Sequence, residues 1–191
     1  MPQNKIEHKN IYYPPGGILL WIIIFLELLT FGIALIAMVH ESGINPIEFH
    51  ESRLALNKTY GMLNTLFLLT SGFLMALFVN KVKTHGKPKS KKYLTATMLF
   101  GGSFILLKSV EYHDKIEAGF GLGYNTFFDY YWMLTLFHIV HVIVGLVILA
   151  SIHFRLKKES TTIEDIEASG AFWHMCDLIW LLLFPLLYLF F

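Results

Sequence analysis

The chain has 191 residues, of which 55% are hydrophobic and 15% are charged, and its mean hydropathy is +0.55. A soluble domain of this length needs more polar surface, so the composition indicates a membrane protein. The formal net charge of +1 gives no sign of a nucleic-acid partner. Its single cysteine, Cys176, excludes a disulfide framework within the chain.

Five apolar stretches are long enough to cross a bilayer as helices, which takes about 20 residues for a hydrocarbon core about 30 Å thick. Helix is the expected form because each span must satisfy its own backbone polar groups. The short connections favour one all-α domain over residues 1–191, an integral membrane bundle of five transmembrane helices. The predicted spans are Gly17–Val39, Tyr60–Asn80, Tyr93–Val110, Tyr131–His153 and Ala171–Phe191.

The segment before the first span is polar and contains proline. The apolar run after it is longer than the core of a signal peptide, and no convincing cleavage site follows. We therefore interpret Gly17–Val39 as a true span. The third span is expected to continue as a helix to about Ala118.

Lysine and arginine are distributed unequally between the two sides of the predicted bundle. Three lie in the first and third connections: Arg53, Lys58 and Lys115. Eleven lie in the lead and in the second and fourth connections: Lys5, Lys9, Lys81, Lys83, Lys87, Lys89, Lys91, Lys92, Arg155, Lys157 and Lys158. The positive-inside rule then predicts a cytoplasmic N-terminus and an outer C-terminus. Tryptophans fit the aromatic belts of this arrangement, with Trp21 and Trp173 on the inner side and Trp132 on the outer side.

Several ionisable side chains fall within or at the ends of the predicted spans, where a charge costs between about 3 and 17 kcal/mol. They are Glu27, Lys108, Glu111, His138, His141, His174 and Asp177. All except Glu27 form pairs three residues apart, and such pairs share one face of a helix. From the expected depths we predict two contacts: Glu111 near His138 toward the outer side, and His141 near the His174/Asp177 face closer to the centre.

Three interpretations of this polar cluster remain open. The first is a structural network that fixes helix packing. The second is a metal or haem site, which needs histidine or carboxylate ligands converging from two or more helices. The third is a proton or ion relay. Glu27 has no ionisable partner in its own span, so it is either protonated in apolar surroundings or bonded to another helix.

Small residues mark positions where helices are expected to approach closely: Gly72, Ala76, Gly101, Gly102, Ser103 and Gly145. Pro185 lies inside the last span, where it should kink the helix and free the carbonyl of Leu181.

Six short motifs follow one another along the chain. Pro-Pro-Gly precedes the first span, and Phe-Leu-Glu-Leu-Leu-Thr-Phe surrounds Glu27. The other motifs are Lys-Ser-Val-Glu-Tyr at Lys108–Tyr112, Asn-Thr-Phe-Phe at Asn125–Phe128, Phe-His-Ile-Val-His-Val-Ile-Val-Gly at Phe137–Gly145, and Phe-Trp-His-Met-Cys-Asp-Leu-Ile-Trp at Phe172–Trp180. In this order they resemble subunit III of the haem-copper oxidase superfamily, and the two histidine-containing motifs are the most specific of the set.

Two features depart from full-length subunit III, which has seven spans. This chain matches only the last five, and Lys108 stands where the oxidase subunits usually carry glutamine. Both features are similar to the short branch associated with nitric oxide reductases. The two absent helices form one wall of the lipid-filled cleft in the oxidase subunit, so the lipid role is not carried over whole.

The resemblance implies an accessory subunit of a cytochrome c oxidase-like or nitric oxide reductase-like complex in a bacterial cytoplasmic membrane. It implies no catalysis by the isolated chain, no metal and no cofactor in it, and haem and copper in the partner catalytic subunit. The subunit would stabilise that partner, contact membrane phospholipid and shape gas or proton access. Glu27 matches the family's carbodiimide-reactive carboxyl. The alternative is a self-sufficient membrane redox or transport protein that uses the histidine–carboxylate cluster.

Overall fold

The computed structural model describes residues 16–85, 87–156 and 161–191. The lead with Lys5 and Lys9, and the connection with Lys157 and Lys158, lie outside the described residues. The orientation predicted in part from these lysines therefore remains a prediction.

The described residues form helices throughout, joined by short turns, and contain no strand. Five of the helices are long and apolar enough to cross a membrane, which confirms the predicted all-α bundle. Each predicted span lies within one of them, apart from the final residue of the last. The elements are α1 (Gly17–Ile44), α2 (Pro46–Leu54), α3 (Lys58–His85), α4 (Lys87–Glu117), α5 (Thr126–Arg155), α6 (Ile163–Pro185) and a π-helix (Leu186–Phe190).

Local sequence signals fix several helix ends. Pro46 begins α2 in the first turn, where its missing N–H costs no hydrogen bond. Asn125 caps α5 by accepting a hydrogen bond of 2.9 Å from the Phe128 amide. Thr162 and Asp165 form a reciprocal capping box at the start of α6, with bonds of 2.9 and 3.0 Å. These caps satisfy amides that would otherwise lack partners at the membrane boundary.

Helix α6 is the centre of the bundle. It packs against α1, α3 and α5, while α3 and α4 form an extensive antiparallel hairpin beside it. Within its spanning window 56% of the residues are buried, against 22–33% in the other four spans. We call the end of the bundle with α2 and residues 118–125 the α2 end, and the opposite end, with residues 85–92, the lysine-rich end.

The core of the bundle contains Trp173, and its predicted position in the inner aromatic belt is wrong. Its side chain is fully buried and its indole N–H donates a 3.1 Å hydrogen bond to Ser71 Oγ. The large ring fits because Gly101 on α4 and Gly145 on α5 present no side chain to it. The predicted close approach at these two glycines is therefore confirmed, and the group that approaches both of them is the Trp173 ring.

Substitution of Gly101 with alanine should destabilise the bundle by about 1–3 kcal/mol, the usual cost of overpacking a core. A Cβ at Gly101 would lie 2.7 Å from the Trp173 ring, which is held by its own hydrogen bond. The adjacent Gly102→Ala is the matched control, because a Cβ there meets nothing within 4 Å. Unfolding by SDS titration in mixed micelles measures both variants, and equal stabilities would contradict the packing argument.

Candidate functional site

A fully buried group of four side chains joins α4, α5 and the π-helix, and we call it the lysine cluster: Lys108, Glu111, Tyr131 and Tyr188. The Lys108 ammonium lies 2.9 Å from Glu111 Oε2, 3.1 Å from the Tyr131 hydroxyl and 2.7 Å from the Tyr188 hydroxyl. Both hydroxyls donate to Glu111 Oε1, over 3.0 Å from Tyr131 and 2.6 Å from Tyr188. The predicted pair on α4 is therefore surrounded by hydroxyls from two other elements.

The hydrogen-bonding capacity of the lysine cluster is used within the cluster. The ammonium has three N–H donors, and each has an acceptor. Each tyrosine hydroxyl accepts one bond from Lys108 and donates its own proton to Glu111. Aromatic rings complete the enclosure, with the ammonium 4.7 Å from the Tyr131 ring centre and 5.4 Å from that of Trp180. A closed arrangement of this kind is better suited to holding the helices together than to binding a ligand.

Tyr188 reaches the lysine cluster through an irregular turn. The α-helical geometry of α6 ends at Pro185, and the next five residues form a π-helix. The proline removes one backbone donor, and the wider turn accommodates that loss. The ring of Tyr188 also packs against Gly61 on α3, where a Cβ would be 3.0 Å away. The π-helix begins directly after Pro185, while the kink and the free Leu181 carbonyl predicted there stay predictions.

Glu27 and His141 form a second polar pair, between α1 and α5. Glu27 Oε2 lies 3.2 Å from His141 Nε2, and their side chains are 21% and 12% exposed. The other imidazole nitrogen, Nδ1, lies 2.8 Å from the Phe137 carbonyl oxygen. The prediction that His141 contacts the His174/Asp177 face is wrong, because the rotation of α5 directs this ring toward α1 instead.

The geometry of this pair limits where its protons reside. Since the Phe137 carbonyl can only accept, His141 Nδ1 carries a hydrogen. A neutral imidazole then presents a lone pair at Nε2 toward Glu27 Oε2, and a hydrogen bond between the two atoms requires a protonated carboxyl. The other possible state is an imidazolium beside a carboxylate.

His174 and Asp177 form the third polar pair, on the side of α6 that faces α3. His174 Nδ1 lies 3.3 Å from Asp177 Oδ2, and the histidine side chain is 46% exposed while that of the aspartate is 10% exposed. Asp177 Oδ2 occupies the space that a side chain at Gly72 would take. Gly72, predicted as a small residue at a helix contact, therefore leaves the space in which the Asp177 carboxyl group lies.

A groove between α3 and α6 runs past this pair. Two adjoining cavities of about 420 and 320 Å³ form it, and Ala76 and His174 line both. Toward the lysine-rich end the groove is bordered by an ion pair between Lys83 and Glu167. Deeper in the bundle its walls are mainly apolar. The groove therefore joins a charged rim to an apolar membrane-facing wall.

His138 lies in the core and not beside Glu111 as predicted. The three partners of Glu111 are the other members of the lysine cluster. The His138 ring is fully buried, stacked at 5.5 Å on Trp180 and 5.6 Å from Phe104. The prediction of a contact with the carboxylate fails because Tyr131, two turns earlier on α5, fills that position.

Within residues 16–85, 87–156 and 161–191, no three histidine, cysteine, aspartate or glutamate side chains converge as metal ligands would. The six paired residues instead lie in separate places. One pair belongs to the lysine cluster, and another lines the groove. The pair on α5 is divided, because His138 lies in the core and His141 faces α1. A metal cluster of the kind considered from the sequence is therefore not assembled among the described residues, and the relay interpretation stays a prediction.

Sequence reasoning missed the two tyrosines of the lysine cluster. Tyr131 lies seven residues before His138, and this spacing places both on one face of α5. A search for hydroxyls at helical spacing from the charged residues would have found it. Tyr188 could not be found in this way because it lies beyond the π-turn. Tyr112, which donates a 2.8 Å bond to Thr135 between α4 and α5, was also missed.

Comparison with known proteins agrees with the motifs. The family model described as cytochrome c oxidase subunit III matches residues 17–191. A cytochrome bo(3) ubiquinol oxidase subunit 3 from Buchnera aphidicola is 30% identical, over 97% of this chain and 92% of the relative. A cytochrome c oxidase subunit 3 from Coturnix japonica is 32% identical over 66% of this chain, but only 49% of the relative is covered. This chain thus spans about half the length of that oxidase subunit.

A further relative joins two subunits in one polypeptide. It is the heme-copper oxidase subunit I+III of Aeropyrum pernix, 26% identical over 89% of this chain and 22% of the relative. The match to the family model covers all five spans and all three polar pairs. The self-sufficient redox or transport protein considered from the sequence is not favoured by these relatives. The chain belongs to the cytochrome c oxidase subunit III family, the non-catalytic accessory subunits of haem-copper oxidases.

Proposed function

We propose that this chain binds the catalytic subunit of a terminal haem-copper oxidase in a bacterial cytoplasmic membrane and stabilises it there. The support is the family match over residues 17–191, together with the Aeropyrum relative whose name joins subunits I and III. Haem and copper belong to the partner subunit in this proposal. The chain itself contributes a rigid helical surface and no reacting group.

The polar clusters fit this supporting role. The lysine cluster ties together α4, α5 and the π-helix, and all its strong donors are used internally. A cluster whose donors are all used internally holds its helices in a fixed arrangement, and a fixed surface suits a binding partner. The Glu27–His141 pair differs because it is partly exposed and places a carboxyl beside an imidazole, two groups that can exchange protons. It is the candidate for an influence on proton access to the partner.

The length of the relatives guides the choice of complex. The Buchnera subunit of a ubiquinol oxidase is covered over 92% of its length, whereas the Coturnix cytochrome c oxidase subunit is covered over 49%. We therefore place this chain among the short subunits, with a bo(3)-type oxidase as the first candidate partner. A nitric oxide reductase is the second candidate, because Lys108 replaces the glutamine usual in oxidase subunits.

A phospholipid is proposed as the occupant of the groove between α3 and α6. Lys83 at the rim suits a phosphate headgroup, and the apolar wall below it suits an acyl chain. The wall faces the membrane, so a lipid enters it from the side. Mass spectrometry of the detergent-purified chain, with Lys83→Gln as the comparison, measures this occupancy.

Affinity purification of the tagged chain from its native membrane tests the main proposal. The expected eluate contains a second, larger membrane subunit, with the visible spectrum of haem and a stoichiometric content of copper. A nitric oxide reductase partner would bring haem and non-haem iron without copper. A chain recovered alone, under conditions that keep other membrane complexes intact, would refute the proposal.

The orientation is proposed from the lysine distribution and has its own test on α4. A cysteine at Glu117, on the α2 end, should react with a membrane-impermeant maleimide added to intact cells. A cysteine at Lys92, on the lysine-rich end of the same helix, should react only after permeabilisation. Both positions are exposed, and the native Cys176 is buried and contributes no background. The reverse pattern would overturn the predicted cytoplasmic N-terminus.

A further inference from the structure

His138 is a buried polar side chain that the proposed function does not use. Its relative exposure is 0%, and neither Nδ1 nor Nε2 has a hydrogen-bond partner among the described residues. A neutral imidazole carries one N–H donor and one lone pair, and an imidazolium carries two donors. In every state two polar positions of the ring require partners, since leaving them unsatisfied inside a bundle is costly.

The described residues around the ring offer no such partner. Trp180 stacks on the imidazole at 5.5 Å with an angle of 26° between the planes. Phe104 and Phe31 meet it nearly at right angles, at 5.6 and 6.5 Å between ring centres. An aromatic face accepts a weak bond from an N–H, but it has nothing to donate to a lone pair. Both needs are met only by a small molecule that donates and accepts.

We propose that His138 is an internal water-binding site. Water supplies both a donor and an acceptor, and buried waters typically bond to polar groups that are otherwise unsatisfied. A second observation in the same region agrees with this. Asn64 on α3 is also fully buried, and its amide oxygen and nitrogen have no partner among the described residues. The adjacent Thr65 accepts a 3.0 Å bond from the indole of Trp180, the ring that covers His138.

The site lies between the two polar groups described above. Phe31 contacts His138 on one side and His141 on the other, with ring centres 6.5 and 5.9 Å apart respectively. Trp180 contacts both the His138 ring and the Lys108 ammonium, the latter at 5.4 Å. Water at His138 therefore hydrates the section of the core that separates the Glu27–His141 pair from the lysine cluster.

Solid-state nuclear magnetic resonance of the full chain in phospholipid bilayers, with ¹⁵N-labelled histidine, tests the site. We expect one imidazole with a protonated and an unprotonated nitrogen, both receiving magnetisation from water protons. A soluble paramagnetic ion should leave this signal unchanged while it broadens that of His113, whose side chain is 70% exposed. His138→Phe should remove the signal and so assign it.

If the phenylalanine variant does not accumulate, His138→Gln assigns the signal instead, because His141 in the same span is also only 12% exposed and resists the paramagnetic ion as well. Transfer from water to both nitrogens, with a shift typical of a hydrogen-bonded lone pair, supports the proposal. Two results overturn it. One is a buried imidazole that receives no magnetisation from water. The other is transfer at the N–H alone with an unbonded second nitrogen, which would indicate a bond to an aromatic face.

Discussion

Replacement of Glu111 with leucine should lower the free energy of unfolding by about 3–5 kcal/mol, the usual cost of removing one partner of a buried ion pair. The variant leaves the ammonium of Lys108 enclosed with no anion beside it. It also removes the acceptor of both tyrosine hydroxyls. SDS titration of the purified chain in mixed micelles, followed by helical circular dichroism, measures the loss.

Two variants control this result. The double variant Lys108→Met with Glu111→Leu should be more stable than Glu111→Leu alone, because an apolar pair replaces the charged pair without leaving an unpaired charge. Glu117→Leu removes an exposed ion pair with His113 on the same helix and should change stability by about 0–1 kcal/mol. The single variant Lys108→Met completes the set. If the double variant loses as much stability as Glu111→Leu and Lys108→Met together, the two charges are not coupled.

Substitution of Glu27 with glutamine should abolish labelling of the chain by a hydrophobic carbodiimide while leaving its stability nearly unchanged. The reagent requires a protonated carboxyl that it can reach from the lipid, and Glu27 is partly exposed, with its Oε2 3.2 Å from His141 Nε2. The amide of glutamine keeps a donor for His141 Nε2 and the shape of the acid. Glu27→Ala removes this partner and should cost about 1–3 kcal/mol.

Glu111 is the internal control for the labelling. It is fully buried and accepts bonds from Lys108 and from two hydroxyls, so peptide mapping should find no adduct there. An adduct on Glu111 together with an unmodified Glu27 would contradict the protonated state assigned to Glu27. Equal stability of the alanine and glutamine variants would show that the contact with His141 does not hold α1.

The sequence was sufficient to predict the spans, because length and hydropathy decide membrane insertion one helix at a time. It also identified which charged residues share a helix face, as with Lys108 and Glu111. It could not identify the helix that each face meets. His138 and His141 are three residues apart, yet one ring packs on Trp180 and the other reaches Glu27. That difference depends on how α5 is rotated between its neighbours, which is a property of the assembled bundle.

The contact between Tyr188 and Lys108 shows a second limit. An uninterrupted helix after Pro185 would present a different face at position 188, so the α-helical period mispredicts its direction. Trp173 shows a third limit, because a tryptophan near a span end fits the interfacial belt as well as the core. The glycines at 101 and 145 decide between these two positions, and their contact with the indole appears only when three helices are placed together.

The lysine cluster also has an order of assembly during synthesis. Lys108 and Glu111 lie on one helix and neutralise each other as soon as α4 forms, which lowers the cost of its entry into the lipid. The hydroxyl of Tyr131 is synthesised 20 residues after Glu111 and that of Tyr188 77 residues after it. While the ribosome completes α6, Glu111 therefore lacks one of its hydrogen-bond donors, and α4 reaches its final environment only when the newest helix docks beside it.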